Sequence, residues 1–141
     1  GVGALVTADH GVIDVPAESQ VMLDQFDWYC KAVKQTTGDP RCNFVYLNQN
    51  ETTNDFKQFA LEAFGHSAYI CTPAELVLSG WADWSDQSLK DVVPDLVVIW
   101  REELVGYDRR SAKPQHLKII GQHGGISDAE NRIPLIRFGK Y

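Results

Sequence analysis

Gly3-Ala4-Leu5-Val6-Thr7-Ala8-Asp9-His10-Gly11 is the stretch whose reading decides the fold of this chain. Ala4-Leu5-Val6-Thr7 is a short apolar, partly β-branched run, which predicts a buried strand. It is followed at once by Asp9 and His10, two residues that can bind a metal, and then by Gly11. Consecutive side chains on a strand point to opposite faces, so Asp9 and His10 reach one ion only if the chain leaves strand geometry there. Gly11, with backbone angles closed to other residues, allows that departure. A strand that delivers polar groups at its carboxyl end is the usual placement of a site in an α/β sheet. The other reading of the same residues is an Asp-His-Gly turn with no ligand at all.

The rest of the composition bounds what such a site could serve. The chain has 141 residues, 44% apolar and 23% charged, an ordinary balance for a globular domain. Its formal charge of −6 argues against a general nucleic-acid surface, which needs Lys and Arg to displace counterions. A phosphate-containing substrate stays open, because metal ions can supply local positive charge. No apolar run approaches the ~20 residues that span a membrane. The chain starts almost directly on a strand, without a secretory leader. It is therefore expected to be a piece of a longer domain, and its compartment is not read. Cys30, Cys42 and Cys71 form no CxxC pair and are expected to be reduced, mostly buried thiols.

Beyond Gly11, residues 12–16 read as a loop ending at Pro16. In residues 24–37, Phe26, Tyr29, Cys30 and Val33 fit a helical stripe before Gly38-Asp39-Pro40 breaks the chain. Residues 42–47 alternate and predict a strand. Residues 54–64 predict a helix with Phe56, Phe59, Ala60, Ala63 and Phe64 on one face and Gly65 at its end. A short strand is expected over 67–71. Thr72-Pro73-Ala74-Glu75 is a capped helix start. In Val92 to Trp100, Pro94 should delay the strand to about Leu96. Residues 102–115 read as an exposed polar excursion, with Arg109 and Arg110 as a solvated pair. Lys118-Ile119-Ile120 predicts a brief strand, Ser127-Asp128-Ala129-Glu130 a second capping box, and residues 133–138 a final strand.

His123, in Gly121-Gln122-His123-Gly124-Gly125, repeats the opening pattern of an apolar run ending in a histidine beside glycine. Two such loops far apart in sequence are expected to meet at one edge of the fold. Asp9, His10 and His123 have the donor chemistry of a zinc site with open positions, yet three ligands are too few for two metals. His66 and His116 lack this context and are expected at the surface.

At this point the chain resembles a family. Thr7-Ala8-Asp9-His10-Gly11 is similar to the [ST]-[AS]-D-H-G motif of the alkaline phosphatase superfamily, in its type I phosphodiesterase/nucleotide pyrophosphatase branch. Gly121-Gln122-His123-Gly124-Gly125, with Ser127, Glu130 and Ile133-Pro134-Leu135, resembles that branch's late HG-x-[LI]-[ST]-x-x-E-x-x-[VI]-P-L segment, about 110 residues further on. Gly38-Asp39-Pro40-Arg41 and Gly80-Trp81 resemble the insert of its bacterial members. The resemblance implies an α/β fold, the C-terminal portion of an alkaline-phosphatase-like catalytic domain. Residues 1–19 and 85–141 would be a partial core, with 20–84 a small α+β, cap-like insert. The strand ending at Asp9 would then lie inside a parallel sheet.

The resemblance also implies two divalent metal ions, Zn²⁺ or Mn²⁺, one held by Asp9 and His10 and the other by His123. The substrate would be a small phosphodiester or nucleotide. The family's Ser or Thr nucleophile and its remaining ligands lie in segments with no counterpart here, and Thr7 belongs to the metal motif. No catalytic nucleophile is therefore assigned, and the chain alone is expected to be inactive and to self-associate through its uncovered sheet. A sulfatase would need C-x-P-x-R, where Cys71-Thr72-Pro73-Ala74-Glu75 ends in Glu. Phosphonoacetate hydrolase or phosphomutase relatives, and a non-catalytic binding or assembly module, are the alternatives.

Overall fold

The computed structural model describes residues 2–140. In chain order they form β1 (Ala4–Thr7), β2 (Ile13–Asp14), β3 (Gln20–Met22), α1 (Asp27–Ala32), β4 (Val33–Asp39), β5 (Cys42–Leu47) and α2 (Thr53–Phe64). The chain continues through β6 (Ala68–Cys71), α3 (Pro73–Leu78), β7 (Leu96–Trp100) and β8 (Val105–Tyr107). It ends with β9 (Gly121–Gln122), α4 (Asp128–Asn131) and β10 (Leu135–Phe138).

The core is an antiparallel sheet in the order β4-β5-β7-β6. β7 is interior and every residue of it is buried, which explains its unbroken apolar sequence. Leu96, Val98 and Trp100 face one side, against Tyr29 and Ala32 of α1 and Phe56, Ala60 and Phe64 of α2. Val97 and Ile99 face the other, against Leu76 of α3. The strand begins at Leu96 because Pro94 has no N–H for a ladder. β7 comes from beyond residue 85, while its neighbours β5 and β6 lie within 20–84, so the two segments share one sheet.

Elements with self-contained local signals lie where the sequence places them. β5 spans the residues expected of it, and α2 starts one residue earlier, capped by Thr52, whose side chain accepts from the Asp55 N–H. Of the expected apolar face, Phe56, Ala60 and Phe64 are buried and Phe59 is exposed. Thr72 and Glu75 form the reciprocal capping box with Pro73 in the first turn of α3. The ambiguous stretch 24–37 divides, with α1 ending at Ala32 and β4 beginning at Val33.

Other expectations are corrected. β1 is not buried: all four residues are exposed, and its hydrogen-bonded partner among the described residues is the antiparallel β10, also exposed throughout. Two strands alone leave both faces of a ladder open to solvent. The 12–16 loop contains β2, and Lys118-Ile119-Ile120 is not a strand; a 3₁₀ turn over His116–Lys118 precedes β9 there. The 102–115 segment is not wholly exposed, because β8 pairs in parallel with β3 and is buried with Val15. Arg109 and Arg110 are exposed, as expected, and each is also ion-paired. Arg109 Nη2 lies 2.8 Å from Asp24 Oδ2, and Arg110 Nη2 lies 2.7 Å from Asp108 Oδ2 while its Nη1 donates to the carbonyls of Cys30 and Val33. The three thiols are free and half-buried, and burial pushes the Cys42 thiol pKa up to about 11.

Candidate functional site

β2 and β9 pair antiparallel, with Ile13 opposite Gln122. The chain entering β2 and the chain leaving β9 therefore lie at the same end of this short ladder. That register brings together His10 and His123. Their rings are stacked with centroids 3.7 Å apart and planes 17° from parallel. Both side chains are half-buried, whereas His66 and His116 are exposed, as the sequence predicts.

The tautomer of His10 follows from its neighbour. Its Nδ1 lies 2.7 Å from the Gly11 carbonyl oxygen, which only accepts, so Nδ1 carries the proton. In the neutral ring Nε2 is then the atom with a lone pair, the arrangement of a ligating histidine oriented by a backbone carbonyl. Asp9 is exposed; its Oδ1 accepts from the His10 backbone N–H at 3.1 Å, and its Oδ2 lies 3.6 Å from His10 Nε2. That separation is within reach of one ion bound at about 2 Å from each atom. The donor chemistry thus suits a divalent metal. The set is incomplete, however, because no group of three or more His, Cys, Asp or Glu is placed to hold an ion among the described residues.

Gly11 is not among the glycines in the left-handed region, contrary to the expectation from the sequence; its requirement is steric. Its N–H donates to the Glu130 carbonyl at 2.7 Å, and a Cβ there would collide with the Ala129 carbonyl oxygen. Only a residue without a side chain can bring the first motif this close to the second.

Glu130 itself is the main departure from the sequence reading. Ser127 makes no capping bond, and the Glu130 carboxylate turns inward instead of bonding the Ser127 N–H. It is 3% exposed and meets the guanidinium of Arg41, 1% exposed, in a two-pronged ion pair. The bonds are Nε to Oε1 at 3.1 Å and Nη2 to Oε2 at 2.9 Å. Gly125 N–H donates to Oε1 at 2.8 Å and Ser127 Oγ to Oε2 at 2.6 Å. Burial pushes this carboxyl's pKa up, but the bonds from Arg41, Ser127 and Gly125 outweigh it and bring it down to about 2. Arg41 and Glu130 both stand in quoted motifs, yet nothing local distinguishes an exposed Arg or Glu from a buried pair.

No protein-family model matches the sequence, and no curated protein matches it. Solved structures do. Murine ectonucleotide pyrophosphatase/phosphodiesterase 5 is similar over 94% of this chain and 33% of its own, at TM-score 0.66 and 15% identity. The human protein of the same name is similar over 96% of this chain and 33% of its own, at TM-score 0.67 and 11% identity. Phosphonoacetate hydrolase from Sinorhizobium meliloti is similar over 97% of this chain and 36% of its own, at TM-score 0.64 and 18% identity. These neighbours are members of the alkaline phosphatase superfamily, and the likeness is one of fold. The chain spans about a third of the length of the structures it matches. The mixed α/β architecture is that of part of an alkaline-phosphatase-like domain, the fold class expected from the two motifs.

Proposed function

We propose that this chain is part of a two-metal phosphohydrolase that cleaves phosphodiester or pyrophosphate bonds in a small nucleotide-like substrate. The observation that carries the reading is the stacking of His10 on His123 beside Asp9, from motifs about 110 residues apart. One structure of the murine neighbour, an inactive form, is a complex with AMP, which supports a nucleotide as the kind of ligand.

In this reading the Asp9 carboxylate and His10 Nε2 hold one ion and His123 the other, with Zn²⁺ or Mn²⁺ as the metal. Such a pair of ions supplies positive charge to the phosphoryl oxygens and the departing group. The Gly11 carbonyl keeps the proton on His10 Nδ1 and so keeps Nε2 free to donate its lone pair. The stacked rings hold each other's plane. Thr7 is exposed and donates back to the neighbouring Ala8 carbonyl at 3.4 Å, so it is not offered as nucleophile. With three ligands and no nucleophile, the chain by itself turns over no substrate. The exposed apolar residues of the β1–β10 ladder, among them Leu5, Val6, Leu135 and Ile136, support self-association of the isolated chain. No helix among the described residues is long and apolar enough to cross a membrane.

The likeness to the Sinorhizobium phosphonoacetate hydrolase supports a second reading, cleavage of the carbon–phosphorus bond of a small phosphonate at the same residues. A Zn²⁺ titration followed by the imidazole NMR resonances tests what both readings share. His10 and His123 should respond together, and His10→Ala or His123→Ala should weaken binding. Resonances that ignore excess Zn²⁺ would instead make Asp9, His10 and His123 the turn residues of a non-catalytic module. If they do respond, assays of a longer chain with a phosphodiester and with phosphonoacetate separate the two substrates.

A further inference from the structure

We infer that the buried Arg41–Glu130 ion pair is the positioning device of the two-histidine site, holding the His123 loop against Gly11 and thereby setting the separation of the imidazoles. Its bearing on metal binding rests on the function proposed above; its bearing on the imidazoles does not.

The geometry forms a continuous path. The Arg41 carbonyl accepts from the Trp100 N–H of β7 at 2.9 Å, and Arg41 Nη1 donates to the Leu104 carbonyl at 2.6 Å. The guanidinium is therefore fixed to the core sheet. Its Nε and Nη2 hold both oxygens of Glu130. The same oxygens receive the N–H of Gly125, two residues from His123, and the hydroxyl of Ser127. The backbone of Glu130 then accepts the Gly11 N–H, next to His10. Each histidine lies one or two residues from a group held by the pair.

Two features separate this from an ordinary stabilising contact. A carboxylate at this position of a capping box normally bonds the N-cap N–H; here it is directed to the histidine loop. Burying two charges also costs desolvation, so the pair gains little over a well-packed apolar pair, though losing one partner is costly; what it adds over apolar packing is fixed geometry. Gly125 fits this account: a Cβ there would stand 2.7 Å from Glu130 Oε2 and 2.8 Å from Arg41 Nη2. Glycine is required because the loop lies directly on the pair.

Arg41→Lys keeps the charge and loses the two-pronged fork. In the metal-free chain it should move the His10 and His123 ring-proton resonances towards unstacked values, with amide shifts of β5 and β7 retained. Zn²⁺ affinity should fall about tenfold or more, the scale on which groups that orient metal ligands act. Arg110→Lys, which weakens the Asp108 pair, is the control and should leave the imidazoles unmoved. Ser127→Ala removes one bond to Glu130 and should give a smaller shift in the same direction, including in the event that Arg41→Lys fails to fold. Unmoved imidazoles in Arg41→Lys or, if it does not fold, in Ser127→Ala would overturn the inference, as would equal movement in Arg110→Lys. A wild-type chain that ignores Zn²⁺ refutes the metal reading alone, since the metal-free resonances still decide the positioning role.

Discussion

Glu130→Gln should destabilise the chain by about 3 kcal/mol at pH 7, and this loss should fade in acid. The magnitude follows from the site. A carboxyl whose ordinary pKa of 4.5 falls to about 2 in the folded chain contributes roughly 3 kcal/mol while it is ionised. Removing one partner of a buried pair costs about 3–5 kcal/mol by general experience, which agrees. The sign follows from the depressed folded pKa. The contribution is complete above about pH 4.5, where the unfolded carboxyl is also ionised, and is lost as pH falls towards about 2. Other carboxyls are lowered as well, Asp24 by its bond to Arg109 and Glu75 by its bond to Lys57, so the acid loss of the wild type alone is a sum. The difference between wild type and Glu130→Gln isolates the one group, because glutamine does not titrate. Urea unfolding followed by tryptophan fluorescence at a series of pH values measures that difference. It should hold near 3 kcal/mol down to about pH 5 and shrink steadily below. A direct reading is the carboxyl ¹³C titration of Glu130 in the wild type, with a midpoint near 2. A midpoint near 4.5, or a difference that stays constant into acid, would refute the reasoning.

Asn43→Ala should cost about 2–3 kcal/mol by the same urea assay, because it orphans buried partners. Asn43 Oδ1 accepts from Trp100 Nε1 at 2.7 Å, and its Nδ2 donates to the carbonyls of Asp39 and Gly106 at 3.1 Å each. Thr72→Ala should cost only about 1 kcal/mol, the usual value of an N-cap, since the rest of the α3 start remains. Light scattering of the isolated chain should show a mass that rises with concentration. Placing a charge on the exposed ladder with Ile136→Lys, opposite Val6, should reduce that association, and a monomer at every concentration would count against it.

What was legible in the sequence lay in short windows. Pro94 and the apolar run after it located β7, the Phe and Ala spacing located α2, and Thr72 with Glu75 located α3, because each signal acts within a few residues of itself. The same window misread Glu130, since S-x-x-E has one appearance whether the carboxylate caps its own helix or turns into the core. It also missed the buried 105–107 strand. A short segment amid polar residues is buried here only because β3 lies beside it.

Asp9, His10 and His123 were legible as donors by residue type and glycine context, and their family resemblance by motif. That two of them stack, and that a guanidinium 89 residues from Glu130 in sequence holds the second loop in place, belongs to the tertiary structure alone. The β2–β9 register and the Arg41 pair depend on which surfaces meet when the sheet forms. Local propensity carries no information about that meeting. The sequence by itself thus determined the elements with strong local signals and the types of donor present, while packing decided the short strands and which donors became neighbours.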